Sequence, residues 1–83
     1  MLKRTDTNDY EAAHGRKPRG RGSWAFYAVV SNGSGYSNVW SGCKFFAGTY
    51  TEAKRAAFRE AVEYGEGSFG KGRVFSVTLR VGS

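Results

Sequence analysis

The stretch Thr49-Tyr-Thr-Glu-Ala-Lys-Arg-Ala-Ala-Phe-Arg-Glu-Ala-Val-Glu-Tyr64 constrains this chain more than any other, because it reads as a helix and as nothing else. Thr49 has the hydroxyl of an N-cap, able to accept a free amide of the first turn. Glu52, three residues on, completes a capping box by reaching back to the cap's own N–H. Ala53, Ala56, Ala57 and Ala61 follow without Gly or Pro, so local propensity agrees with the cap. Gly65 then offers the left-handed residue on which such helices end. At about 100° per residue, Tyr50, Ala53, Ala57, Ala61 and Tyr64 fall on one stripe, widened by Phe58 and Val62. Glu52, Arg55, Arg59, Glu60 and Glu63 take the opposite arc. So small a face wants a flat partner at close range, and a β-sheet is the usual one.

Three extended stretches supply that sheet. Trp24–Val30 places Trp24, Phe26, Ala28 and Val30 on one side and Ala25, Tyr27 and Val29 on the other, apolar on both, as a central strand requires. Ser31-Asn-Gly-Ser-Gly35 is a turn, and Asn-Gly is the pair that favours the mirror-image hairpin types. A second strand lies within Tyr36–Ala47, with Gly42 marking a bulge or a close approach. After the helix, Gly65–Gly72 is a loop by composition. In the third strand, Arg73–Val81, Phe75, Val77, Leu79 and Val81 face the helix, and Val74, Ser76, Thr78 and Arg80 face away. The expectation is an α+β domain over residues 23–83. It has a three-stranded antiparallel sheet (ββαβ, order 2-1-3), one helix on one face and the other face open to water. Residues 1–22 lack an apolar period and read as a flexible basic arm. Asn8–His14 makes a helical turn too short to hold alone.

Charge and chemistry narrow the function. The chain has 83 residues and a net charge of +6, which favours acidic partners. Arg16, Lys17, Arg19 and Arg21 sit together among Gly and Pro with no acidic residue between them. That is either a solubilising tail or an arm able to follow phosphates. The single cysteine, Cys43, permits no internal disulfide and points to a reducing compartment. No run approaches the ~20 apolar residues of a membrane span, and no signal-peptide core follows Met1, so a soluble cytoplasmic protein is expected. With one His, His14, no Ser/His/Asp or Cys/His set and no metal cluster assembles, so neither catalysis nor a cofactor nor a metal is expected. Gly65-Glu-Gly-Ser-Phe-Gly70 spells a dinucleotide fingerprint, but it leaves a helix and enters a strand, the reverse of what phosphate binding needs. Lys71-Gly-Arg-Val-Phe-Ser-Val77 echoes an RNA-recognition strand at Lys71, Gly72 and Phe75 only. The two Trp, five Tyr and six Phe exceed what one thin core holds. Those left outside, beside Arg and Lys, compose a protein interface or a base-stacking platform. The candidate contacts are Arg16, Lys17, Arg19, Arg21, Trp24, Tyr27, Lys44, Arg73 and Arg80.

Three segments carry a resemblance: Trp24-Ala-Phe-Tyr-Ala-Val29, the helix start Thr49-x-x-Glu52-Ala53, and the closing Phe75-Ser-Val-Thr-Leu-Arg80. Together they resemble small bacteriophage early proteins with ββαβ folds, the group of the host RNA-polymerase inhibitor of short-tailed coliphages. Size and architecture are also similar to several anti-CRISPR proteins. Asp9-Tyr-Glu-Ala-Ala-His-Gly-Arg-Lys17 resembles a short basic early protein of the same phages. The resemblance implies a non-enzymatic inhibitor in the host cytoplasm, a monomer or weak homodimer. It would occlude a host nucleic-acid-processing complex, of transcription or of CRISPR-type defence, with Arg80 as the last-strand arginine on the target. The alternative is a nucleic-acid-binding module that binds DNA or RNA directly. In that case Arg16, Lys17, Arg19 and Arg21 lie on phosphates and Trp24 or Tyr27 stacks on bases.

Overall fold

The computed structural model describes residues 2–70, 72 and 74–82. The chain runs β1 (Leu2–Asp6), α1 (Asn8–His14), β2 (Arg21–Ser31), β3 (Tyr36–Asn38), β4 (Lys44–Thr49), α2 (Tyr50–Phe69) and β5 (Ser76–Val81). The apolar alternation of Trp24–Val30 makes β2 central, as expected. One edge of β2 pairs antiparallel with β5, from Phe26↔Val81 to Ser31↔Ser76. Its other edge pairs antiparallel with β4 near its start and with β3 at its end. The sheet therefore has five strands in the order β1-β5-β2-β3, with β4 beside β2.

This is an α+β fold, but not the three-stranded ββαβ sheet of order 2-1-3. Two differences account for the change. The single strand expected within Tyr36–Ala47 is split. Asn38 pairs with Val29 and Lys44 with Phe26, so the two β2 residues Tyr27 and Ala28 oppose the five residues 39–43. The surplus loops out around Gly42, and only Val39 keeps a bond to β2, its N–H donating to the Ala28 carbonyl at 2.9 Å.

The second difference is at the N-terminus, where the expected flexible arm carries two elements. β1 adds to the far edge of β5 in parallel, from Leu2↔Ser76 to Asp6↔Arg80, making the sheet mixed. α1 is held by Tyr10, which is buried and lies 5.6 Å from the Trp24 ring. The ring of His14 stacks on Tyr10 from the next turn of α1, at 4.2 Å. A short amphipathic turn that is unstable alone persists because one aromatic side chain docks on the core.

The helix starts as its sequence dictates. Thr49 Oγ1 accepts from the Glu52 N–H at 3.1 Å, and the Glu52 carboxylate accepts from the Thr49 N–H at 2.9 Å, closing the capping box. Ala53, Ala57 and Ala61 are buried against the sheet, over Phe26, Val30, Val77, Leu79 and Val81. The helix does not end at Gly65. It continues to Phe69 and stops at Gly70, which has φ 101°. Gly65 is the fourth member of the small stripe: a Cβ built on it would fall 2.2 Å from the Phe75 ring. What reads locally as a stop signal is a slot for an aromatic ring. The Asn32-Gly33 pair also behaves differently from expectation. Neither Gly33 nor Gly35 has positive φ. The bend is a four-residue loop in which Asn32 Oδ1 accepts from the Ser34 N–H at 3.1 Å, an Asx turn.

Gly65 and Gly67 should therefore respond oppositely to alanine. Gly67 has open space around a built Cβ, so Gly67→Ala is expected to stabilise by up to ~1 kcal/mol through helix propensity. Gly65→Ala is expected to destabilise by about 1–3 kcal/mol through overpacking. Thermal unfolding should resolve both, at roughly 4–8 °C of Tm per kcal/mol. Tyr10→Ala should lower stability by about 3 kcal/mol, whereas an unattached arm would register no change in the same denaturant titration.

Candidate nucleic-acid interface

The strand register sorts side chains onto a face that α2 does not cover. One row across the sheet reads Asp6, Arg80 and Tyr27, the next Arg4, Thr78, Val29 and Asn38, and the third Leu2, Ser76, Ser31 and Tyr36. Beyond the first row, Ala25 stands opposite Phe45. Their chain neighbours Phe26, Val30, Val77 and Leu79 are fully buried on the helix side, which fixes the orientation of the whole set. Ser31 and Ser76 share a hydroxyl–hydroxyl bond of 2.8 Å in the third row. Three aromatics project from the open face: Tyr27 at 45%, Phe45 at 64% and Tyr36 at 76% exposure.

Tyr27 stands between two cavities. One, of about 460 Å³, lies toward α1 and is bounded by Asp9, Ala12, Ala13 and Gly82. The other, of about 410 Å³, is bounded by Asn38, Trp40 and the looped-out residues up to Gly42. Arg80 sits directly opposite Tyr27 and is ion-paired with Asp9. The end of the face nearest α1 carries the basic segment. Arg16, Arg19 and Arg21 line a cavity of about 400 Å³ together with Tyr10, His14, Trp24 and Phe45. Lys17 is exposed beside them.

Two of the residues expected to touch a partner are placed elsewhere. Trp24 is 8% exposed and is wedged between Tyr10 and Tyr50, so it belongs to the core and offers no free ring face for stacking. Lys44 pairs with Phe26, which puts it on the helix side. There its Nζ lies 2.6 Å from the Glu60 carboxylate and 5.6 Å from the Phe46 ring centroid. Arg73 lies outside the described residues. Arg16, Arg19, Arg21, Tyr27 and Arg80 are brought to the open face or its end. Arg4, Tyr36 and Phe45 join them unforeseen. Arg4 depends on a strand with no apolar alternation, and Phe45-Phe46 is a pair whose inward member only the register identifies.

A second basic surface runs along α2, where Lys3, Lys54, Arg55 and Arg59 surround Phe58 and Val62 in a groove of about 560 Å³ that Glu63 also lines. Cys43 is exposed. Among the described residues, no group of His, Cys, Asp and Glu gathers as a metal site would. No described helix is long and apolar enough to cross a membrane.

Among the described residues, two groups titrate away from their ordinary values. Burial beside Trp24 and Phe26 raises the Tyr50 phenol. The Thr49 backbone N–H, then the Thr49 hydroxyl, hold the Glu52 carboxyl below the usual carboxylate range. Slight desolvation opposes the shift, and the charges of Arg21 and Arg55 add to it. A carboxyl depressed in the fold contributes stability above its unfolded pKa, and that contribution is lost as pH falls through the folded value. Tm should therefore fall with pH below about 4.3. Glu52→Gln, which keeps the cap's shape without the charge, should flatten that acid limb. Parallel wild-type and variant Tm–pH curves would refute the assignment.

Comparison with protein-family models, with curated proteins and with solved structures finds no match to this chain.

Proposed function

We propose that this chain is a non-catalytic binding module that takes single-stranded nucleic acid across its open sheet face. The observation that carries the reading is Tyr27, an exposed ring with a cavity on either side and Arg80 directly across from it. A base laid on such a ring contributes about 1–3 kcal/mol with little regard to sequence. Phe45 is diagonal to Tyr27 on the neighbouring strand, a separation of about 7–8 Å, so a second base has a second platform. Arg4 and Arg80 lie in adjacent rows within reach of the connecting phosphates, and the +6 net charge draws a polyanion to the surface. The grooves of a duplex do not fit this arrangement, because bases inside a duplex are stacked on both faces and present no free ring face.

A second reading has one specific observation in its favour. Arg80, the residue that the likeness to phage host-takeover inhibitors nominates, is exposed in the middle of this same face. A protein of that kind would use Arg80, Tyr27 and Phe45 to occlude a host transcription or defence complex.

Fluorescence anisotropy separates the two. Labelled single strands should bind at about 50 mM salt and lose affinity steeply by about 200 mM, and a duplex of the same sequence should bind more weakly. Tyr27→Ala, at an exposed position, should weaken the single strand about tenfold, equivalent to ~1.4 kcal/mol, with unchanged circular dichroism. No binding of any strand at the lower salt would remove the nucleic-acid reading and leave the inhibitor one.

A further inference from the structure

The cavity at the α1 end of the face is distinct in its charge. Arg16, Arg19, Arg21 and His14 line it, and no carboxylate does. Two other cations expected to touch a partner already have carboxylate partners: Lys44 has Glu60 and Arg80 has Asp9. Among the described residues, no salt bridge reaches Arg16, Arg19 or Arg21. Arg21 lies in the field of the Glu52 carboxylate, one oxygen of which is held by the Thr49 N–H. Three guanidiniums around one concavity repel one another unless an anion joins them. Trp24 also lines this cavity.

The remaining wall joins the cavity to the sheet. Phe45 lines it and also projects from the open face, and Gly82 bounds both this cavity and the one beside Tyr27. A strand stacked on Tyr27 and Phe45 therefore runs out into the arginine cluster.

Resting on the proposed function, we infer that this cavity holds the terminal phosphate of the bound strand. An internal phosphodiester carries one charge. A terminal monoester carries about −1.5 to −2 and presents three strong acceptor oxygens, which suits three arginine forks better than a diester does.

The test uses one oligonucleotide sequence with a 5′-phosphate, with a 3′-phosphate, or with hydroxyls at both ends, read by anisotropy on the full chain. One phosphorylated end should bind about tenfold tighter than the hydroxyl-ended strand. Arg16→Ala/Arg19→Ala should bring the phosphorylated strand down to the hydroxyl-ended level, and millimolar inorganic phosphate should do the same to the wild-type protein. Equal affinity for all three strands would overturn the inference and leave the stacking face standing. Binding of inorganic phosphate in calorimetry without any end preference would also overturn it, assigning the cavity to a free phosphate compound. Failure of every strand to bind would remove both readings.

Discussion

The close approach of α2 to the sheet is the constraint on which the rest depends. Ala53, Ala57, Ala61 and Gly65, spaced one helical turn apart, let the helix backbone descend onto β2 and β5. Larger residues at those positions would hold the helix off and leave Phe26, Val30, Val77 and Leu79 incompletely covered. Because the helix contributes almost no volume at its contact stripe, the sheet has to contribute it. Every large, fully buried side chain is a sheet residue. The core is thereby drawn to one side, and the other side keeps what the strands did not need for packing.

That one-sidedness sorts adjacent residues to opposite fates. Phe26 is wholly buried and Tyr27 projects. Phe46 packs near Phe26 and Trp40 while Phe45 stands in water. The charges are sorted by the same geometry. Acidic groups sit where they answer a particular need: Glu52 at the helix cap, Glu60 beside Lys44, Asp9 beside Arg80. Among the described residues no carboxylate is ion-paired with Arg16, Arg19 or Arg21, and this imbalance makes their cavity chemically different from the others.

Legibility in the sequence followed how local the cause was. The capping box, the alanine stripe and the alternation of β2 and β5 are short-range patterns, and each appears in the structure where the residues place it. The helix end was misread because Gly65 serves a tertiary contact with Phe75 that composition cannot reveal. β1 was invisible because Leu2-Lys-Arg-Thr-Asp6 is exposed on nearly every residue and so shows no buried face. α1 is hard to read from sequence because what holds it, Tyr10 on Trp24 and Asp9 with Arg80, joins segments that no periodicity connects. The first of these contacts explains why Trp24 was mistaken for a surface ring: its cover lies in a stretch that reads as a tail. Arg80 reads as an open-face residue because β5 has one unambiguous inward face, whereas β2 is apolar on both sides and only the structure decides that Phe26 turns inward and Tyr27 outward.

β1 touches the sheet along a single edge, and its partner β5 is the last strand of the chain. Neither can complete its ladder until nearly all the sequence between them is in place, so this pairing has the greatest loop-closure demand in the fold. An edge strand with little buried surface is also the natural first unit to open in the native state. Yet β1 supplies Arg4 and Leu2 to the outer columns of the open face. Any partner that grips those columns must favour the closed edge over the open one, and by linkage it tightens the strand it touches. Slowed amide exchange in β1 would then report occupancy of the face, including rows that the strand itself does not reach.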